Sequence, residues 1–229
     1  ARLLIGADGA ASPVRNLTGI RAERVDYRQR GLVANVRTAV QHDGTARQRF
    51  LATGPLAFLP LANGACSIVW SLPEREADRL KALPDDEFER EITTAMGGAL
   101  GRVTLESERA AFPLMRQLAE RYVHRRVALV GDAAHVVHPL AGQGLNLGFV
   151  DVAALTDVLA AARVRDLDPG SDAVLARYAR WRQGDNALAA HTFEAIGRLY
   201  ALKTPGLFAL RDFGQRMVDR LPPLKRRFI

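Results

Sequence analysis

The sequence predicts a mixed fold, part α/β and part α+β, and three observations carry that expectation. Two short apolar strands run into glycine–aspartate turns, at Ile5-Gly6-Ala7-Asp8-Gly9 and Val130-Gly131-Asp132, on either side of a long middle segment. The middle is built of short, partly alternating runs separated by turn residues. The remainder is helical in pattern. A length of 229 residues with 48% hydrophobic and 25% charged residues suits one large domain or two small ones and is ordinary globular usage.

Taken in order, residues 2–8 form an apolar strand ending in a tight turn. Residues 23–114 are β-rich, with candidate strands at 32–38, 47–53, 56–61 and 65–72, and turn signals at His42-Asp43-Gly44 and Ala62-Asn63-Gly64. A helix pair interrupts them. Pro73-Glu74 opens the first helix, and Pro84-Asp85-Asp86 carries capping residues for a second that runs to Met96 and stops at Gly97-Gly98. Residues 102–112 read as one last long strand, so the middle becomes an antiparallel sheet with helices on one face. Residues 126–130 are a buried-type strand, 145–162 an apolar helix, 166–171 a polar break, and 172–203 and 207–221 further helices ended by Pro222-Pro223.

Charge and cysteine content exclude several classes. The net charge is +7, and all but Lys81, Lys203 and Lys225 of the 32 basic residues are arginines. They are spread along the chain and interleaved with acids, as in Glu87-Phe88-Glu89-Arg90-Glu91, without zinc-finger spacing or an RNA-binding aromatic signature, so no nucleic-acid partner is expected. The densest basic run is Lys225-Arg226-Arg227. A single cysteine, Cys66, rules out an intrachain disulfide and points to a reducing compartment, most simply the cytoplasm. No uninterrupted apolar run reaches the ~18 residues of a membrane span.

The segment 127–148, reading VALVGDAAHVVHPLAGQGLNLG, carries the chemistry. A buried strand delivers Gly131-Asp132 to its carboxyl end, where open α/β sheets bind ligands. A carboxylate there can accept from sugar-type hydroxyls. Gly142, Gly144 and Gly148 allow the backbone to approach a flat ligand, and the helix that follows offers N-terminal amides to an electron-rich edge. The spacing Gly-x-Gly-x-x-x-Gly is not a pyrophosphate fingerprint. Asp132, His135 and His138 have a spacing that invites a metal, but no further ligand cluster supports one, and no metal is expected. Hydrolase and P-loop motifs are absent. In the opening segment, Asp8 again ends a strand in a glycine turn, followed by Ser12 and by Arg15, a side chain able to pair with phosphate.

Together these two segments resemble the later signature motifs of the class A flavoprotein aromatic hydroxylases. Gly6-Ala7-Asp8-Gly9 with Ser12 and Arg15 is similar to the motif near the cofactor diphosphate. Gly131-Asp132-Ala133-Ala134-His135 with Pro139, Gly142, Gly144, Leu145 and Asn146 is similar to the motif around the ribityl chain and flavin ring. Residues 135–148, with Phe58-Leu59-Pro60-Leu61, Phe112-Pro113-Leu114, and Tyr178 followed by Arg180 and Arg182, resemble the ubiquinone-biosynthesis branch.

The resemblance implies a remnant of an FAD-binding Rossmann-like domain (1–20 and 121–165), a substrate domain (21–120, an antiparallel sheet with helices) and C-terminal helices (166–229). It implies FAD as cofactor, NADPH as co-substrate, O₂, and hydroxylation of a prenylated phenol through a flavin C4a-hydroperoxide. Asp132 would hold the ribityl hydroxyls, Gly131 would shape the turn, and Pro139 and His138 would line the pocket. Gly142, Gly144, Leu145 and Asn146 would contact the ring, Asp8 and Arg15 the diphosphate, and Phe58, Leu59 and Leu61 would roof the substrate. No catalytic base is assigned. Peripheral contact with the inner membrane or with a ubiquinone-biosynthesis complex, and a homo-oligomer, are further expectations, with the basic run near the C-terminus as docking region. The first residue is Ala1, and the family's Gly-x-Gly-x-x-Gly unit is absent from these residues. The reading is therefore of an N-terminally truncated fragment, inactive by itself. The alternatives are a non-catalytic core or interaction module, or a different aromatic-ring hydroxylase.

Overall fold

A computed structural model describes residues 1–138 and 142–201. The chain runs β1 (Leu4–Gly6), α1 (Pro13–Leu17), β2 (Ala22–Thr38), β3 (Arg47–Leu51), β4 (Gly54–Pro60), β5 (Cys66–Pro73), α2 (Glu74–Ala82), α3 (Asp85–Ala95), β6 (Val103–Leu105) and β7 (Ala110–Ala119). It continues through β8 (Val123–His124), β9 (Val127–Leu129), a 3₁₀ turn (Gly131–Ala133), β10 (His135–Val136), α4 (Gly144–Val164) and α5 (Asp172–Ala201). Among the described residues the strands form two sheets: a small one ordered β1-β9-β8, and a large one ordered β10-β7-β2-β5-β4-β3, with β6 also on β2. This mixture of a parallel pair, an antiparallel sheet and long helices is the mixed α/β and α+β fold that the sequence predicts.

The large sheet is organised by the alternation of β2. Leu32, Ala34 and Val36 face inward with Leu56, Phe58, Ile68, Trp70 and Leu72, and they pack on Ala77 and Leu80 of α2 and Phe88 and Ile92 of α3. Both helices lie on that one face. Proline precedes each of them, and neither has a side-chain cap. Asp85 and Asp86 sit in the first turn of α3, where they complement the helix dipole instead of capping it.

The single strand expected over 102–112 is two. β6 pairs with residues 36–38 of β2, and β7 pairs with residues 22–33 of the same edge. The chain leaves the edge between them because Arg109 turns toward the helices, donating to the carbonyls of Leu80 (2.9 Å) and Leu83 (2.7 Å). β7 also runs past 114, to Ala119. Between Asp26 and Gln29 the β2–β7 register slips; Arg28 adopts φ +51° there and its amide donates to Asp26.

A second core lies between the small sheet and the long helices. Ala128, Leu129 and Val130 meet Ala154, Leu155 and Val158 of α4 and Leu175 and Tyr178 of α5. By length and composition α4 could cross a membrane, with mean hydropathy 1.6 over 18 residues. Here Asp151, Ala154, Leu155, Val158 and Ala162 are buried on its inner side. The helix expected at 207–221 and the basic run 225–227 lie outside the described residues.

Candidate functional site

β1 and β9 run parallel and side by side, pairing Leu4 with Val127 and Gly6 with Leu129. The two glycine–aspartate turns therefore leave the carboxyl ends of adjacent strands. The fit is close: a Cβ on Gly6 would lie 2.8 Å from Leu129 Cδ2. Gly131 takes a left-handed φ of +57°, and a Cβ on Gly148 would come within 3.4 Å of its Cα, so this glycine pair lets α4 approach the strand end. Asp132 is exposed, and its carboxylate has no hydrogen-bond partner among the described residues.

The first turn is self-braced. Asp8 accepts from Ser12 Oγ (2.5 Å) and from the Val14 amide (2.9 Å), and Ser12 Oγ caps α1 by accepting from the Arg15 amide. Burial pushes the Asp8 carboxyl up, but these bonds hold it below the usual range. Arg15 does not present a free guanidinium. It is 1% exposed, and its two terminal nitrogens donate to the carbonyls of Ala133 and Ala10, both at 2.8 Å. In this arrangement Arg15 ties the two turns together. Gln117 of β7 adds a strut by donating to Ala10 O (3.0 Å) while accepting from Arg24.

Behind the second turn lies a buried polar cluster. Asp151, on α4 and fully buried, accepts from the Gly131 amide (3.0 Å) and lies 2.5 Å from His135 Nε2 through Oδ2; Oδ1 accepts from Arg182 Nε (2.8 Å) and Asn186 Nδ2 (2.9 Å). Burial alone would raise its pKa, but the His135 hydrogen bond and charge, with Arg182 and Asn186, hold it below the carboxylate range. Because Nε2 faces a carboxylate, it is the donor in this contact. Tyr178 donates to Leu129 O (2.7 Å) and anchors β9 to α5.

The opposite wall is the start of α4. Gln143, its N-cap residue, makes no side-chain cap bond, and the first-turn amides of Gly144, Leu145 and Asn146 have no acceptor among the described residues. Leu145 is 70% exposed, Asn146 Nδ2 donates to Gln143 Oε1 (2.9 Å), and Gly142 has φ +61° with open space where a Cβ would stand. His138 is half-buried, its ring 5.1 Å from that of Tyr27 and its Nε2 3.4 Å from Gln29 Oε1; burial lowers its pKa. Pro139 lies outside the described residues. A partnerless carboxylate, open glycines and uncapped helix amides on one short segment fit the hydroxyl-bearing chain and carbonyl-rich edge of a flavin.

The sheet supplies the third side. His138 leans on Gln29, which shares a face of β2 with Val33. Pairing extends that face to Val69 and Ala57, to Leu59, and to Phe112 opposite Gly31. Leu59 and Phe112 are exposed on it, whereas Phe58 points the other way into the core beneath α2 and α3. The expectation for Phe58 is thus corrected by strand alternation: Phe112, Val33 and Val69 share the face of Leu59, and Phe58 does not. Asp151 and Asn186 also escaped the sequence reading. The available signal for Asp151 was an acidic residue set between Val150 and Val152 in a mostly apolar helix.

A family model described as an FAD binding domain matches residues 1–184. The chain is 41% identical over 229 residues to the ubiquinone hydroxylase UbiL of Rhodospirillum rubrum, covering 100% of this chain and 53% of that protein. It is 38% identical over 226 residues to the 3-demethoxyubiquinol 3-hydroxylase of Escherichia coli, covering 99% and 58%. Among solved structures it is similar to Pseudomonas aeruginosa PqsL in complex with 2-aminobenzoylacetate, with TM-score 0.74, 29% identity and coverage of 87% of this chain and 56% of that one. The p-nitrophenol 4-monooxygenase PnpA of Pseudomonas putida, at 19% identity and TM-score 0.75 with coverage of 99% and 57%, shares the fold. The chain spans about half the length of these curated relatives. It belongs to the FAD binding domain family, and its relatives include the ubiquinone hydroxylases.

Proposed function

We propose that this chain serves the FAD-dependent hydroxylation of the aromatic ring of a ubiquinone precursor, with NADPH as reductant and O₂ as oxidant. The balance is one ring C–H converted to C–OH, one water released and NADPH oxidised to NADP⁺. The observation that carries the reading is the segment from Asp132 to Asn146, where an exposed, unpartnered carboxylate and uncapped helix amides flank open glycines beside an apolar sheet face. When bound, flavin supplies the redox chemistry, accepting reducing equivalents and activating oxygen.

The residues of this chain bind, orient and exclude water. Asp132 accepts from the ribityl hydroxyls. The amides of Gly144, Leu145 and Asn146 donate to the pyrimidine edge, and the helix dipole favours negative charge there. Gly131 and Gly142 provide the turns. Phe112, Leu59, Val33 and Val69 give a prenylated phenol an apolar surface that keeps water from the reacting ring. Such a substrate partitions into membranes, so peripheral contact with the inner membrane from the cytoplasm accompanies this reading.

The test is to express the chain within its full-length protein, measure FAD uptake, and follow NADPH oxidation with a prenylated phenol. Substrate-dependent oxidation and a product heavier by one oxygen atom are expected; a protein that takes up no flavin, or gives no oxygenated product, defeats the reading. Exposed apolar side chains on β1 (Leu4, Ile5) and α4 (Phe149, Val150, Val152) favour a second reading, an interaction module. That reading is carried if the 229-residue chain binds no FAD yet self-associates in sedimentation.

A further inference from the structure

Asp151 is given no contact with flavin above, yet it meets both ends of the segment that would hold it. Its Oδ2 grips the turn that carries Asp132, through the Gly131 amide and His135. The residue itself belongs to α4, whose first turn holds Gly144, Leu145 and Asn146. Its Oδ1 is fixed in turn by Arg182 and Asn186 of α5, and Arg182 Nη2 donates to Asn186 Oδ1 (2.6 Å), closing the cluster. A fully buried carboxylate with four donors is an expensive arrangement unless every partner stays in place. Leu, Val or Met at this position would pack in the apolar surroundings of α4 but could not hold the Gly131 amide.

We infer that Asp151 is a positioning residue: it clamps the Gly131–Ala133 turn to α4 and so sets the separation between the Asp132 carboxylate and the amides at the helix start. Its role toward flavin rests on the FAD site proposed above, whereas the clamp itself does not. Arg15, on the far side of the turn, bonds Ala133 O, and Ala119 N donates to Ala134 O (2.8 Å). The turn is therefore gripped from three directions, and Asp151 is the grip that connects it to α4.

The experiment uses the full-length protein with Asp151→Asn, the milder Asn186→Ala, and Tyr178→Phe as a control that removes a buried hydrogen bond from the same core but not from the turn. Three quantities are read: the melting temperature, FAD affinity by quenching of flavin fluorescence, and hydrogen exchange of amides 131–135 in flavin-free protein. Asp151→Asn is expected to weaken FAD binding by about ten- to a hundredfold and Asn186→Ala by a few-fold. Both should speed exchange at 131–135 and displace the flavin visible band. Tyr178→Phe should lower the melting temperature and leave affinity and spectrum unchanged. The proposal is overturned if a folded Asp151→Asn binds FAD like the wild type, or if affinity merely follows melting temperature across all three variants. Should Asp151→Asn fail to fold, Asn186→Ala decides by the same criteria. If the wild type takes up no FAD, the functional reading falls, and exchange at 131–135 still judges the clamp: acceleration supports it and no change refutes it.

Discussion

The two cores of this molecule bury different things. Beneath the large sheet the buried residues are almost all apolar, and the charges stay outside: Arg79 bridges Glu76 and Glu91, both at 2.6 Å, on the solvent side of α2 and α3. Around the small sheet, Arg15, His135, Asp151, Arg182 and Asn186 are all buried among apolar neighbours. Buried polar groups cost stability unless their partners are held in register. The first core is built to persist, and the second to hold two turns in fixed relation. Exposed pairs such as Arg79–Glu91 add about 1 kcal/mol or less each, so the sheet region owes its stability to packing.

The largest effect should come from breaking the apolar core. Phe88 is fully buried between α3 and the sheet, with the Arg109 guanidinium 4.9 Å from its ring centroid. Phe88→Ala should cost about 3–5 kcal/mol, because the cavity cannot fully collapse. Urea unfolding measures this, and FAD affinity in the protein that remains folded should not change. A large loss of affinity at unchanged stability would erase the distinction between the cores. Next comes Arg15→Met, which keeps much of the side-chain volume but leaves Ala133 O without its donor, while Ala10 O keeps Gln117. A loss of about 2–3 kcal/mol is expected, together with weaker flavin binding, since both turns move. Stability loss with intact affinity would show that Arg15 only caps.

These differences also explain what could be read in advance. The helix pair, the strand spacing and the long helices were legible because periodicity and proline or glycine boundaries act locally. The Asp132 segment was legible because its glycines and strand end lie within one stretch. The split of the last strand was not, since it depends on Arg109 reaching carbonyls 26 and 29 residues earlier. Arg15 was read as a phosphate partner because its residue type suits that chemistry, whereas its carbonyl partner on Ala133 is 118 residues away. The Phe58 expectation needed only the phase of a two-residue alternation, which one shared face with Leu32, Ala34 and Val36 would have set.

Asp132→Ala should separate function from stability more cleanly than either core variant. The carboxylate is exposed and has no partner among the described residues, so unfolding should move by no more than about 0.5 kcal/mol. FAD affinity should fall about tenfold or more, the loss of hydrogen bonds to a charged acceptor. Unchanged affinity by fluorescence quenching would remove Asp132 from the site.

The smallest effect concerns His138, at the seam between the cores. Burial lowers its pKa below the model-peptide value of 6.5, so the folded state favours the neutral ring. Above the unfolded value both states are deprotonated there, and the residue contributes no slope. Below it the unfolded chain binds the proton first, so stability falls with falling pH until the folded pKa is reached. His138→Asn should therefore lose less stability than the wild type between pH about 7.5 and about 5.5. Urea midpoints at the two pH values give the answer. Parallel shifts in wild type and variant would mean that the seam around Tyr27 and Gln29 does not desolvate the ring.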